Sequence, residues 1–111
     1  MVDFSIKRRD RVPSISATLT DSQGAPVDLT GATVKFIMSL SPGGGTPTLN
    51  VAAILVSAPA GAVRYDWAVG DTAASGSYVA EWEVTYSNGK KQTFPSVGYN
   101  TISIGDDLDN A

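Results

Sequence analysis

"VRYDW" over Val63–Trp67, then a connection carrying Asp71 and Gly76, then "YVAEWEVTY" over Tyr78–Tyr86 form the stretch that decides the fold. In the last segment Tyr78, Ala80, Trp82, Val84 and Tyr86 alternate with Val79, Glu81, Glu83 and Thr85. Successive strand side chains point to opposite faces, so three aromatics share one face and two carboxylates share the other. That period of two, beside a shorter strand ending in Tyr65-Asp66-Trp67, predicts paired strands around an aromatic core.

The order Asp71…Gly76-Ser77-Tyr78-Val79-Ala80 resembles the tyrosine corner of immunoglobulin-like sandwiches, in which a Tyr hydroxyl bonds back to upstream backbone. Ala80 stands where antibody domains carry a disulfide cysteine, so the resemblance is to the architecture. The rest of the chain agrees. Phe4 and Ile6 mark a short first strand. Ile15, Ala17 and Leu19 alternate in a second, and Val34, Phe36 and Met38 in a third. A fourth covers roughly Val51–Val56. Asp28 or Thr30 is placed to cap a single helical turn ended by Gly31 before the third strand. Ser87-Asn88-Gly89-Lys90 predicts a hairpin with a type I′ turn. The returning strand holds Thr93-Phe94, is interrupted by Pro95, and resumes at Tyr99–Ile104, because proline cannot donate a ladder hydrogen bond. The expectation is one all-β domain over 1–111, an immunoglobulin-like sandwich of seven to eight mostly antiparallel strands.

Composition removes several functions. The chain has 111 residues, no Cys and no His. Disulfides, thiolate chemistry, the commonest general base and the commonest transition-metal ligand are all missing. No catalytic residue, cofactor or metal ligand is therefore expected, and the chain reads as no enzyme. A net charge of −3 argues against nucleic acid and membrane surfaces as partners. No apolar run reaches the roughly 20 residues of a membrane helix. The Met-Val-Asp-Phe start has no basic-then-apolar leader, which implies synthesis in the cytoplasm.

The remaining motifs have bland and sharp readings. Gly43-Gly44-Gly45 lacks the Lys-Ser/Thr and helix that a phosphate cradle needs, so it reads as a surface loop able to order on a partner. Glu81 and Glu83 invite comparison with the paired acids of glycosidases, but adjacent acids on a solvated strand face explain them. Asp106, Asp107 and Asp109 read as a solvated acidic end, with calcium the weaker alternative. Tyr65, Trp67, Tyr78, Trp82 and Tyr86 read as core, with a sugar platform as the alternative. Lys7, Arg8, Arg9 and Arg11 hold half of the 8 basic residues. Four crowded cations repel unless acids offset them, which makes the cluster a candidate contact with an acidic partner.

Phe4–Arg8, Pro13–Ile15, "ATLTDSQGAPVDLTGATVKFIM" (Ala17–Met38), "GAVRYDWAVGDTAASGSYVAEWEVTYSNGKKQTFP" (Gly61–Pro95) and Asp106–Leu108 together resemble the N-terminal domain of phage baseplate upper proteins. The resemblance implies a sandwich on phage tails, where it anchors receptor-binding or fibre proteins. It implies a structural virion protein in the tail region, made in the host cytoplasm. Ending at Ala111, the chain would be a small adaptor or decoration subunit. Its partners would be other virion proteins of the tail, baseplate, collar or fibre, met in repeated copies of a symmetric assembly, with no small-molecule substrate. Candidate contacts are Lys7, Arg8, Arg9, Arg11, Gly43, Gly44 and Gly45. A carbohydrate-binding module is the alternative, decided by whether Trp67 and Trp82 are buried. Purified alone, such an acidic chain is expected to be monomeric or weakly associating.

Overall fold

The computed structural model describes residues 3–42 and 46–108. Gly43, Gly44, Gly45 and Asp109 lie outside the described residues. Nine strands follow in chain order: β1 (Asp3–Lys7), β2 (Ile15–Thr18), β3 (Thr33–Leu40), β4 (Leu49–Ala52), β5 (Ile54–Ser57), β6 (Ala62–Tyr65), β7 (Gly76–Thr85), β8 (Lys91–Phe94) and β9 (Asn100–Gly105). The described residues contain no helix. One sheet has the order β1-β9-β7-β3-β4, with β8 also on β7; the other is β2-β6-β5. All pairs are antiparallel except β1 with β9, which is parallel. The immunoglobulin-like sandwich expected from the sequence is present.

Two expected strands split, which raises the count from seven or eight to nine. Val51–Val56 is two strands, because Ala53 carries the chain from one sheet to the other. Its N–H donates to the carbonyl of Val34 at 2.8 Å as it crosses. The returning strand breaks at Pro95. β8 then pairs with the Trp82–Thr85 half of β7 and β9 with the Gly76–Ala80 half.

Two turns also differ from expectation. No helical turn forms at Asp28–Gly31. The Asp28 carboxylate instead accepts from the Thr30 N–H and hydroxyl at 2.9 and 2.6 Å. Ala32 N–H closes a β-turn onto Leu29 O, with Gly31 at φ +80°. The β7–β8 hairpin is not type I′. Only Gly89 of the Asn88-Gly89 pair has positive φ (+85°), and Gly89 N–H bonds Tyr86 O while Tyr86 N–H bonds Lys90 O. That is a three-residue loop with a glycine bulge, and the Asn88 carboxamide accepts from Lys90 N–H at 3.0 Å.

The core lies between the sheets, and Phe36 is its centre. Its fully buried ring stacks on Tyr65 at 5.1 Å, meets Trp67 edge-on at 5.8 Å and lies tilted 5.0 Å from Trp82. Trp82 comes from the same sheet; Tyr65 and Trp67 come from the β6 side. The Tyr78 hydroxyl donates to the carbonyl of Ala74 at 2.7 Å, the upstream backbone bond of a tyrosine corner. No buried side-chain nitrogen or oxygen among the described residues lacks a partner.

Candidate functional site

The parallel ladder between β1 and β9 sets Lys7 opposite Gly105. The chain therefore leaves both strands at the same end, and the basic residues after β1 meet the acidic residues after β9. Lys7 Nζ donates to the Asp106 carbonyl at 3.1 Å. Arg8 Nε and an Arg9 terminal nitrogen share one Asp107 oxygen at 3.2 and 3.4 Å. Arg11 Nε donates to the Trp67 carbonyl at 3.1 Å, and Trp67 Nε1 donates to Pro13 O at 3.2 Å.

Backbone holds the same end in place. Arg9 adopts a left-handed φ of 67°, the one positive-φ residue other than glycine among those described. Its N–H bonds Thr72 O at 3.0 Å, and the buried Thr72 hydroxyl donates to Asp10 O at 2.9 Å. The acids that offset the cluster thus belong to this chain. Asp107 is no solvated end, and Lys7, Arg8, Arg9 and Arg11 each make a contact within the chain, while Lys7, Arg9 and Arg11 stay exposed.

The other sequence candidates separate. Glu81 and Glu83 lie on the outer face of β7, opposite Ile37 and Lys35. Partial burial first, and then the Glu83 charge, push the Glu81 carboxyl above its ordinary range. Lys91 stands 3.9 Å from Glu83. Trp67 and Trp82 are 2% and 1% exposed. With their faces spent on the core, the aromatic platform of the carbohydrate-binding alternative does not exist. Among the described residues no group of three Asp, Glu, His or Cys side chains is placed to hold a metal. The sequence has no His or Cys, the commonest transition-metal donors; of its two methionines, Met38 is sealed in the core and Met1 lies outside the described residues.

Sequence reasoning missed the flank opposite the cation end. β4 and β5 are consecutive, joined by Ala53 alone, and each is the last strand of its sheet. One continuous segment, Leu49–Ser57, thus forms the free edge of both layers. No charged residue occurs between Lys35 and Arg64, so the edge has no charge on it. Ile54 and Val56 are 41% and 54% exposed there. The other edges differ: β1 carries Asp3 and Lys7, β8 carries Lys91, and β2 runs between Arg11 and Asp21. Proteins ordinarily blunt free edges with charge, proline or bulges. On this edge the one such device is a register shift between Leu55 and Ser57, and it faces β6. The uncharged run was the available signal.

No protein-family model matches the sequence, and no curated protein is similar to it. Among solved structures the chain is similar to the crystal structure of CopC from Methylosinus trichosporium OB3b, with a TM-score of 0.52 and 14% identity, covering 96% of this chain and 86% of that one. That neighbour is not a phage protein. The expectation of a structural virion protein of a tailed phage is corrected on this finding: the likeness extends over nearly the whole sandwich, outside phage tails, so the tail, baseplate and fibre roles are withdrawn. What the comparison establishes is the immunoglobulin-like β-sandwich fold.

Proposed function

We propose that this chain is a non-enzymatic protein-binding module that docks through its Leu49–Ser57 edge. The observation that carries the proposal is an uncharged free edge shared by both sheets, with Ile54 and Val56 exposed on it. An exposed sheet edge binds by strand addition, in which main-chain hydrogen bonds supply affinity and alternate side chains supply selectivity. Other features support the same reading. The aromatic side chains that would grip a ligand fill the core, and the cations form bonds within the chain. The sequence has no histidine or cysteine to serve as base, nucleophile or soft metal ligand. A fold shared at 14% identity carries no ligand across from CopC.

The test is site-specific crosslinking. A photoreactive residue at Val56 is expected to form a covalent adduct with a protein in the source cells. The same group at Gln92, exposed on β8, is expected to form none. If Val56 forms no adduct with any protein, a second copy of this chain included, the edge is not a docking surface.

A further inference from the structure

Resting on that edge-docking reading, we infer that the occupant of the edge is a second copy of this chain, joined β5 to β5 about a two-fold axis. Charge permits this occupant at one flank. Each copy carries −3, so two copies repel over most orientations. They approach without like charges facing each other where both are uncharged, and the Lys35-to-Arg64 interval supplies that surface. The nearest charge on the sheet is Arg64, the ladder neighbour of Ile54. Its guanidinium is already held by Asp66 at 2.9 Å.

Register makes the edge self-complementary. An antiparallel pairing centred on Leu55 places Ile54 opposite the partner's Val56, and Val56 opposite the partner's Ile54. Both are β-branched and exposed, the side-chain type that packs best across a ladder, and Val56, the extra residue of the register shift between Leu55 and Ser57, has no partner on β6. A two-fold contact uses each pair twice and closes on itself, which yields a dimer and no filament. The two three-stranded sheets become one of six strands, β2-β6-β5 continued by the partner's three. This differs from the monomer expected from net charge, because net charge averages over a surface whose charges are absent from one flank.

Sedimentation equilibrium of the purified protein tests the inference. The expected mass is twice 11.5 kDa, falling to that of one chain in Val56→Lys and in Ile54→Lys with the melting temperature retained. Ser16→Lys, a change at an exposed position on β2, is expected to leave the dimer intact. A single-chain mass up to millimolar concentration overturns the inference, as does a dimer indifferent to both edge lysines. If the protein is monomeric and Val56 still crosslinks to a different protein, the second-copy occupant fails and the edge-docking reading stands. If it is monomeric and Val56 crosslinks to nothing, both fail.

Discussion

Replacing Phe36 by Ala removes the ring on which the two sheets meet. The side chain is fully buried, and truncating such an aromatic costs about 3–5 kcal/mol through lost transfer energy and the cavity left behind. Its three ring neighbours lie at 5.0–5.8 Å, within the range where aromatic pairs add about 0.5–1.5 kcal/mol each beyond burial. Phe36→Leu separates the two effects. It keeps most of the volume and loses the three ring pairs, so a cost of about 1.5–2.5 kcal/mol, at the lower end for three such pairs and below that of Ala, is expected. A domain of this size is stable by about 5–15 kcal/mol, so the Ala variant gives up a large share and melts lower by on the order of 15 °C. Urea denaturation followed by far-ultraviolet circular dichroism reads both variants without depending on tryptophan emission, which the substitution itself perturbs. The m-value should be unchanged, because the fold survives. An Ala variant losing less than about 1 kcal/mol would refute the placement of Phe36 at the centre of the core. A Leu variant as costly as Ala would refute the division between rings and volume.

Two further predictions concern backbone and pH. A Cβ at Gly61 (φ +68°) would lie 2.7 Å from Leu19 O and 2.8 Å from Val27 O, whereas one at Gly70 (φ +91°) meets nothing within 4 Å. Gly61→Ala is thus expected to cost about 2–5 kcal/mol and Gly70→Ala only the left-handed penalty of about 1–2 kcal/mol. Equal losses in thermal melts would contradict the close approach. Burial first, and then the hydrogen bond to Asp71 and that residue's charge, push the Tyr65 hydroxyl up to about 12. Above the unfolded value of 10.0 the unfolded chain loses the proton while the folded one keeps it. Stability from this group is therefore full below pH 10 and declines between about pH 10 and 12. Urea midpoints across that window should fall less in Tyr65→Phe than in the parent; identical slopes would remove Tyr65 as the cause.

Much of this architecture was legible wherever one face of a strand is apolar and the other polar. Tyr78 to Thr85 alternate cleanly, and their pairing, burial and corner bond follow from that pattern. The same rule is silent at Val51–Val56, where residues on both faces are small or apolar. Nothing there distinguishes one strand from two, and the change of sheet at Ala53 does not show. At Asn88-Gly89 the dipeptide predicts a tight hairpin but does not choose between two residues with positive φ and one, a choice the flanking ladder makes. The internal partners of the cation cluster were hidden for a different reason. Its acids lie nearly the whole chain away, and no local pattern couples the first strand to the last. The edge at Leu49–Ser57 announced itself by what was missing, the charges between Lys35 and Arg64, and a search for charged or catalytic motifs passes over such a signal.

The parallel pairing of β1 and β9 has a mechanical consequence. Asp3 lies beside Thr101 and Lys7 beside Gly105, so the chain enters at one end of this ladder and leaves at the other. Tension applied through the two ends pulls the strands along their own length in opposite directions. All five paired positions are then loaded together in shear, where an antiparallel pair of terminal strands would open one bond at a time. The Lys7, Arg8 and Arg9 contacts with Asp106 and Asp107 sit at the end where β9 exits, and they share the first increment of load. A sandwich joined in this way resists extension in proportion to the length of one short ladder, whatever the depth of its hydrophobic core.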